Sequence, residues 1–166
     1  SPNVMWFLGA GASAAAGIPT AWDMIWDFKR SLYCTAQRIP LSACDDLSDP
    51  VLRERLQRYF DGLGNFPKLG ADEEYAIYFE HMYPNEADRR RYIERQIASA
   101  TPSYGHRALA ALLALDKVRL IWTTNFDRTI EDAAVAVFGS TARLAVADLN
   151  HPSLAREALN ESRWPI

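Results

Sequence analysis

The chain has 166 residues, 49% of them hydrophobic and 23% charged, with a formal net charge of −3 at pH 7. That is one domain's worth of chain, long enough for a core, and its slight acidity offers no electrostatic basis for direct nucleic-acid binding or for docking on an anionic membrane. Two cysteines, Cys34 and Cys44, make neither a disulfide framework nor a zinc spacing, which fits a reducing, cytoplasmic setting, and no apolar stretch is long enough to span a bilayer.

The chain opens with Val4-Met5-Trp6-Phe7-Leu8, an apolar run that reads as a strand and leads into Gly9-Ala10-Gly11-Ala12-Ser13. It lacks the positive start of a signal peptide, and glycines interrupt it. Small residues follow where a helix would begin, the order a phosphate-binding strand-to-helix turn needs. Gly9 and Gly11 are expected to let the backbone bend and approach a ligand, and the helix start to aim free N–H groups at an anion. Both glycines fit the first two positions of the dinucleotide fingerprint, and Ala14 stands at the third. A tight turn without a ligand satisfies the glycines equally, and Ser13 is either a phosphate contact or a helix cap.

From Trp22 to about Cys34 the spacing of Trp22, Ile25, Trp26, Phe28, Lys29 and Leu32 predicts a buried helix. Residues 39–50 read as loop, ending in Asp49-Pro50, a cap followed by proline at the first helical position. A helix carrying Leu52, Leu56 and Tyr59 then runs to about Phe60. After Gly62, Gly64, Pro67 and Gly70, Asp72 is expected to cap a short helix with Tyr75, Ile77, Tyr78 and Phe79 inward. Pro84-Asn85 starts another to Ile97, whose Arg89-Arg90-Arg91 reads as a solvated face. Residues 22–100 therefore form a helical insertion, more a cap than a crossover.

Thr101-Pro102-Ser103 ends the insertion, and a helix follows from Tyr104 to Leu115. His106 in its first turn is either a ligand or base, or a packed, capping histidine. Val118 to Thr123 is a second strand, Thr124-Asn125-Phe126-Asp127 its terminal turn, and Arg128 to Phe138 a helix. Ligands of open parallel sheets bind beyond the carboxyl ends of strands, so this turn and the glycine turn would share one crevice. Asn125 and Asp127 are placed where a ligand would lie; capping the next helix is the alternative use of both. Leu144 to Ala147 reads as a short third strand, Asn150-His151-Pro152 as the start of a last helix, and Trp164-Pro165-Ile166 as the entrance to a strand beyond the chain. The expected fold is α/β, with an incomplete Rossmann-like parallel sheet and a large helical insertion after its first strand unit.

Three segments in this order resemble the sirtuin (Sir2) family, in particular its prokaryotic Sir2-like branch. Gly9-Ala10-Gly11-Ala12-Ser13 with Gly17-Ile18-Pro19-Thr20 is similar to the family's GAG-x-S and GIP segment. Pro102-Ser103-Tyr104-Gly105-His106-Arg107-Ala108-Leu109 resembles the helix before its second motif strand. Thr123-Thr124-Asn125-Phe126-Asp127 stands where the family has T-Q-N-I-D. The resemblance implies an NAD-binding domain over 1–166, the chain being its amino-terminal part. Gly9, Ala10, Gly11 and Ser13 would cradle the pyrophosphate, and Ile18 and Pro19 would border the nicotinamide pocket. Thr124 belongs to the binding turn. Asn125 would hold the nicotinamide ribose or a water near its anomeric carbon, and Asp127 would orient the carboxamide.

Departures from the family pattern narrow the reaction. Deacylases continue GIP with an aromatic and an arginine, whereas Thr20-Ala21-Trp22 follows here, and Thr124 replaces the glutamine before Asn125. These changes suit Sir2-like enzymes that hydrolyse NAD, many of them parts of bacterial anti-phage systems. The family's catalytic histidine, in an L-H-G segment, would lie past Ile166, as would any zinc ribbon. The expectation is an NAD hydrolase cleaving the nicotinamide–ribose bond, with NAD as substrate, Asn125 and Asp127 as catalytic groups, no metal in this chain, and little activity without that histidine. The alternatives are a module that senses NAD or ADP-ribose without turnover, and an NAD-dependent protein deacylase. A further domain or partner protein is expected beyond Ile166, and self-association is left open.

Overall fold

The computed structural model describes residues 5–140, 144–148, 153–154 and 156–157. Among them the chain is a mostly helical α/β protein: seven helices and a parallel sheet of two strands. In order these are β1 (Met5–Leu8), α1 (Ala10–Ala14), α2 (Ala21–Gln37), a 3₁₀ turn (Leu41–Cys44), α3 (Pro50–Leu63), α4 (Glu74–Met82), α5 (Glu86–Ala98), α6 (Tyr104–Ala114), β2 (Leu120–Thr123) and α7 (Thr129–Phe138). The chain divides into two compact units, one of Ser1–Ile18 with Ile97–Ile166 and one of Pro19–Gln96. Among the described residues no helix is long and apolar enough to cross a membrane.

In the first unit β1 pairs with β2 in parallel, Met5 opposite Leu120 and Leu8 opposite Thr123. Alternation along the strands puts Leu8 and Ile121 on one face, against a buried cluster of Leu109, Leu113 and Val118 that Ile130 and Phe138 also cover. The other face leaves Met5, Phe7 and Trp122 exposed. Ser103 caps α6 and His106 reciprocates: the Ser103 side chain accepts the His106 N–H, and His106 Nδ1 accepts the Ser103 N–H at 3.1 Å. The helix closes at Asp116 (φ 52°), where the Lys117 N–H returns to Leu112 O and the Asp116 N–H to Leu113 O, a Schellman ending. Residues 144–148 are irregular, so the third strand expected at Leu144 to Ala147 does not form. Leu144 packs instead against the cluster beneath the sheet. Asn150, His151, Pro152 and the final Trp164-Pro165-Ile166 lie outside the described residues.

The second unit is built on α2, which starts one residue before the predicted Trp22 because Thr20 and Asp23 form a reciprocal capping box. Trp26 and Phe28 are buried as expected, but Trp22 is 44% exposed. Phe28 stacks on Phe79 at 5.2 Å and packs with Tyr92. Asp49 caps α3 by accepting the Val51 N–H, with Pro50 at the helix start. That helix runs past Phe60 to Leu63, where Gly64 takes a left-handed conformation (φ 73°). It buries Leu52, Leu56 and Phe60; Tyr59 is only half-buried. Asp72 does not cap α4. Glu74 turns back instead, its Oε2 accepting the Gly70 N–H at 2.8 Å. The other oxygen of Glu74 pairs with the wholly buried Lys29 at 2.5 Å; the ammonium also donates to Gln57 and lies 4.5 Å from the Trp26 ring centroid. Burial lowers the Lys29 pKa, against the pull of Glu74.

Candidate functional site

Because β1 and β2 are parallel, the turns that follow them leave from the same end of the sheet. The Thr124 N–H donates to Leu8 O at 3.2 Å, carrying the strand pairing one residue into the second turn. Asn125 Nδ2 then donates to Gly9 O at 2.9 Å, and its own N–H is held by Thr123 Oγ1 at 3.0 Å. Two residues on, Asp127 Oδ2 accepts the Ser13 hydroxyl at 2.5 Å. Its other oxygen accepts both the Thr129 hydroxyl (2.5 Å) and the Thr129 N–H (3.0 Å). Asp127 therefore does two things: one oxygen orders the start of α7 and the other ties that turn to α1. Burial raises its carboxyl, but the bonds from Ser13 and Thr129 outweigh burial and hold it below the usual carboxylate value.

The glycine turn differs from expectation in its physical reason. Gly9 has extended backbone (φ −114°, ψ −171°), Gly11 sits inside α1, and neither takes a positive φ. A Cβ at either would meet nothing within 4 Å. The strand turns into α1 at Gly9 without a positive φ; Gly17 (φ 90°) instead closes the far end of that helix, where the Ile18 N–H returns to Ser13 O at 3.2 Å. The missing side chains at 9 and 11 leave open, partly exposed backbone at the start of α1. That helix carries no capping side chain and no acidic residue in its first turn; the Ala12 N–H returns to Gly9 O at 2.9 Å, and the Ala10 and Gly11 amides ahead of it have no acceptor within the helix.

Of the expected site residues, Gly9, Ala10, Gly11, Ser13, Thr124, Asn125 and Asp127 all lie on these two turns, Ala10, Gly11 and Thr124 exposed, Gly9, Asn125 and Asp127 half-buried, and Ser13 only 7% exposed. Ser13 is not free to donate to a ligand, since its hydroxyl already donates to Asp127. Ile18 follows α1 in the same unit; Pro19 begins the other unit. His106 is occupied with its own helix cap and lies 5% exposed.

Three residues escaped the sequence reading. Thr129 is buried and supplies two of the bonds to Asp127. Phe126, between Asn125 and Asp127, is 87% exposed, and an aromatic inside a polar turn was the available signal. Glu131 in the first turn of α7 has its carboxyl pushed up by burial, opposed by Arg128 and reinforced by Asp132 and Asp127. Among the described residues no group of three or more His, Cys, Asp or Glu side chains could hold a metal ion. No family model matches the chain, and no curated protein matches it.

Proposed function

We propose that the two linked turns form part of an NAD site of the sirtuin type, in a Rossmann-like domain whose reaction is hydrolysis of the nicotinamide–ribose bond. The observation that carries this reading is the pair of ties between turns, Asn125 Nδ2 to Gly9 O and Ser13 Oγ to Asp127 Oδ2. They hold open backbone amides, a side-chain carbonyl and an ionised carboxylate at one end of a parallel sheet, the place where such folds bind nucleotides. The amides at Ala10 and Gly11 would take the diphosphate. Asn125, its NH₂ committed to Gly9, would offer Oδ1 to a ribose hydroxyl or to the attacking water. Asp127 already accepts three hydrogen bonds; a carboxylate has about four acceptor sites, which leaves one for the carboxamide NH₂.

The chemistry asks little of a general acid, because the nicotinamide of NAD is cationic and departs neutral. Water adds to the anomeric carbon and releases a proton. Positive charge grows on the sugar in the transition state, and a carboxylate kept ionised by fixed hydrogen bonds stabilises it without reorganising. A binding module without turnover is the second reading. It is favoured by the commitment of His106, the one described histidine of its unit, to a helix cap. Calorimetric titration with NAD, and chromatographic assay of nicotinamide release, test both. Binding weakened about tenfold by Asn125→Ala, with release of nicotinamide, supports hydrolysis. Binding without release supports the module, and no binding overturns the site.

A further inference from the structure

The helical unit holds a feature independent of the NAD reading. Cys34, in the last turns of α2, and Cys44, closing the 3₁₀ turn, share one buried cluster with Trp26, Leu52 and Leu56 and are 2% and 1% exposed. The return of the chain explains why they meet. Arg38 takes a left-handed conformation (φ 55°), with the Ile39 N–H bonded to Cys34 O and the Arg38 N–H to Thr35 O, so the backbone doubles back and Pro40 starts the 3₁₀ turn. The two thiols thus lie in the same buried cluster. From the surface, Arg55 reaches in and its Nη2 donates to Cys44 Sγ at 3.3 Å.

We propose that Cys34 and Cys44 are a peroxide-oxidisable pair that closes reversibly to a disulfide. The Arg55 guanidinium on Cys44 stabilises negative charge that develops on that sulfur as it reacts. Burial, then the neighbouring Cys44, push the Cys34 thiol up, so Cys34 keeps its proton and acts second. In the first step the Cys44 sulfur attacks one oxygen of hydrogen peroxide, the O–O bond breaks, and the thiol proton goes to the departing oxygen, giving Cys44 sulfenic acid and water. In the second the Cys34 sulfur attacks the Cys44 sulfur and expels its oxygen as water, the Cys34 proton going to that oxygen. Two thiols and one peroxide give one disulfide and two waters, two electrons passing from sulfur to oxygen. Cys44 ends a four-residue turn whose Leu41, Ser42 and Ala43 are exposed. Such a turn opens locally at low cost, which gives a small oxidant its path.

The test treats the whole chain with hydrogen peroxide at neutral pH, unfolds it in an alkylating agent, and reads the intact mass. The expected result is loss of two hydrogens with neither cysteine alkylated, reversed by dithiothreitol. Arg55→Met, a change at an exposed side chain, is expected to slow closure by a factor of about three or more. Cys34→Ser is expected to stop at a dimedone-reactive Cys44. Two alkylated cysteines after treatment, disulfides only between chains, or stable addition of oxygen without closure would each overturn the proposal, and the reading of the unvaried chain does not depend on how the variants fold.

Discussion

Replacing Ser13 by alanine removes the donor that ties α1 to the second turn, without altering either backbone. The bond is short (2.5 Å), its donor is buried, and its acceptor is a carboxylate. Hydrogen bonds to charged groups contribute about 1.5–3 kcal/mol. Asp127 is only half-buried, so water can take the vacated site, and the expected loss lies at the low end, about 1.5 kcal/mol. Hydrogen exchange of the β1 and β2 amides across a urea series measures it for that unit alone. In an Asp127→Asn background the same change should cost less, and a double-mutant cycle isolates the difference. The coupling also depends on pH. Asp127 titrates below its ordinary 3.8 in the folded chain, so its contribution is complete above about pH 5 and is lost as pH falls through the lowered folded value. A cost under about 0.5 kcal/mol, or a coupling within about 0.3 kcal/mol of zero at pH 7, would refute the claim that this bond holds the turns together.

Lys29→Met should destabilise the helical unit by about 3–5 kcal/mol, because it leaves the buried Glu74 carboxylate without its cation; thermal melting followed by circular dichroism reads this. Adding Glu74→Gln should recover about half of that loss. Arg38→Gly should raise stability by about 0.5–1 kcal/mol, since glycine escapes the left-handed penalty that arginine bears there but loses more freedom on folding; urea midpoints measure it.

Elements set by local chemistry were legible in the sequence. Asp49-Pro50 announced α3, Ser103 announced α6, and the apolar runs marked both strands. Reading failed where a side chain reached beyond its own segment. Asp72 looked like a cap, yet Glu74 bonds back both to Gly70 and to Lys29, 45 residues earlier. The four residues Leu144 to Ala147 looked like strand by composition, but a single apolar anchor into the cluster under the sheet suffices to hold them in irregular form. The two turns were correctly expected at one sheet end. The bonds joining them span 114 and 116 positions, and no periodicity encodes such pairings. Gly9 and Gly11 show a subtler point: the strand turns into α1 at Gly9 as expected, but with ordinary extended backbone, and the positive φ belongs to Gly17, after that helix.

The naked side of the ribbon has a practical consequence. Phe7 and Trp122 sit opposite one another in register, 72% and 51% exposed, with Met5 alongside, and among the described residues neither strand has a second partner. Greasy, unpaired extended backbone recruits more of its own kind. Protein concentration is therefore an experimental variable for every titration of this chain, and light scattering belongs before the first injection of nucleotide.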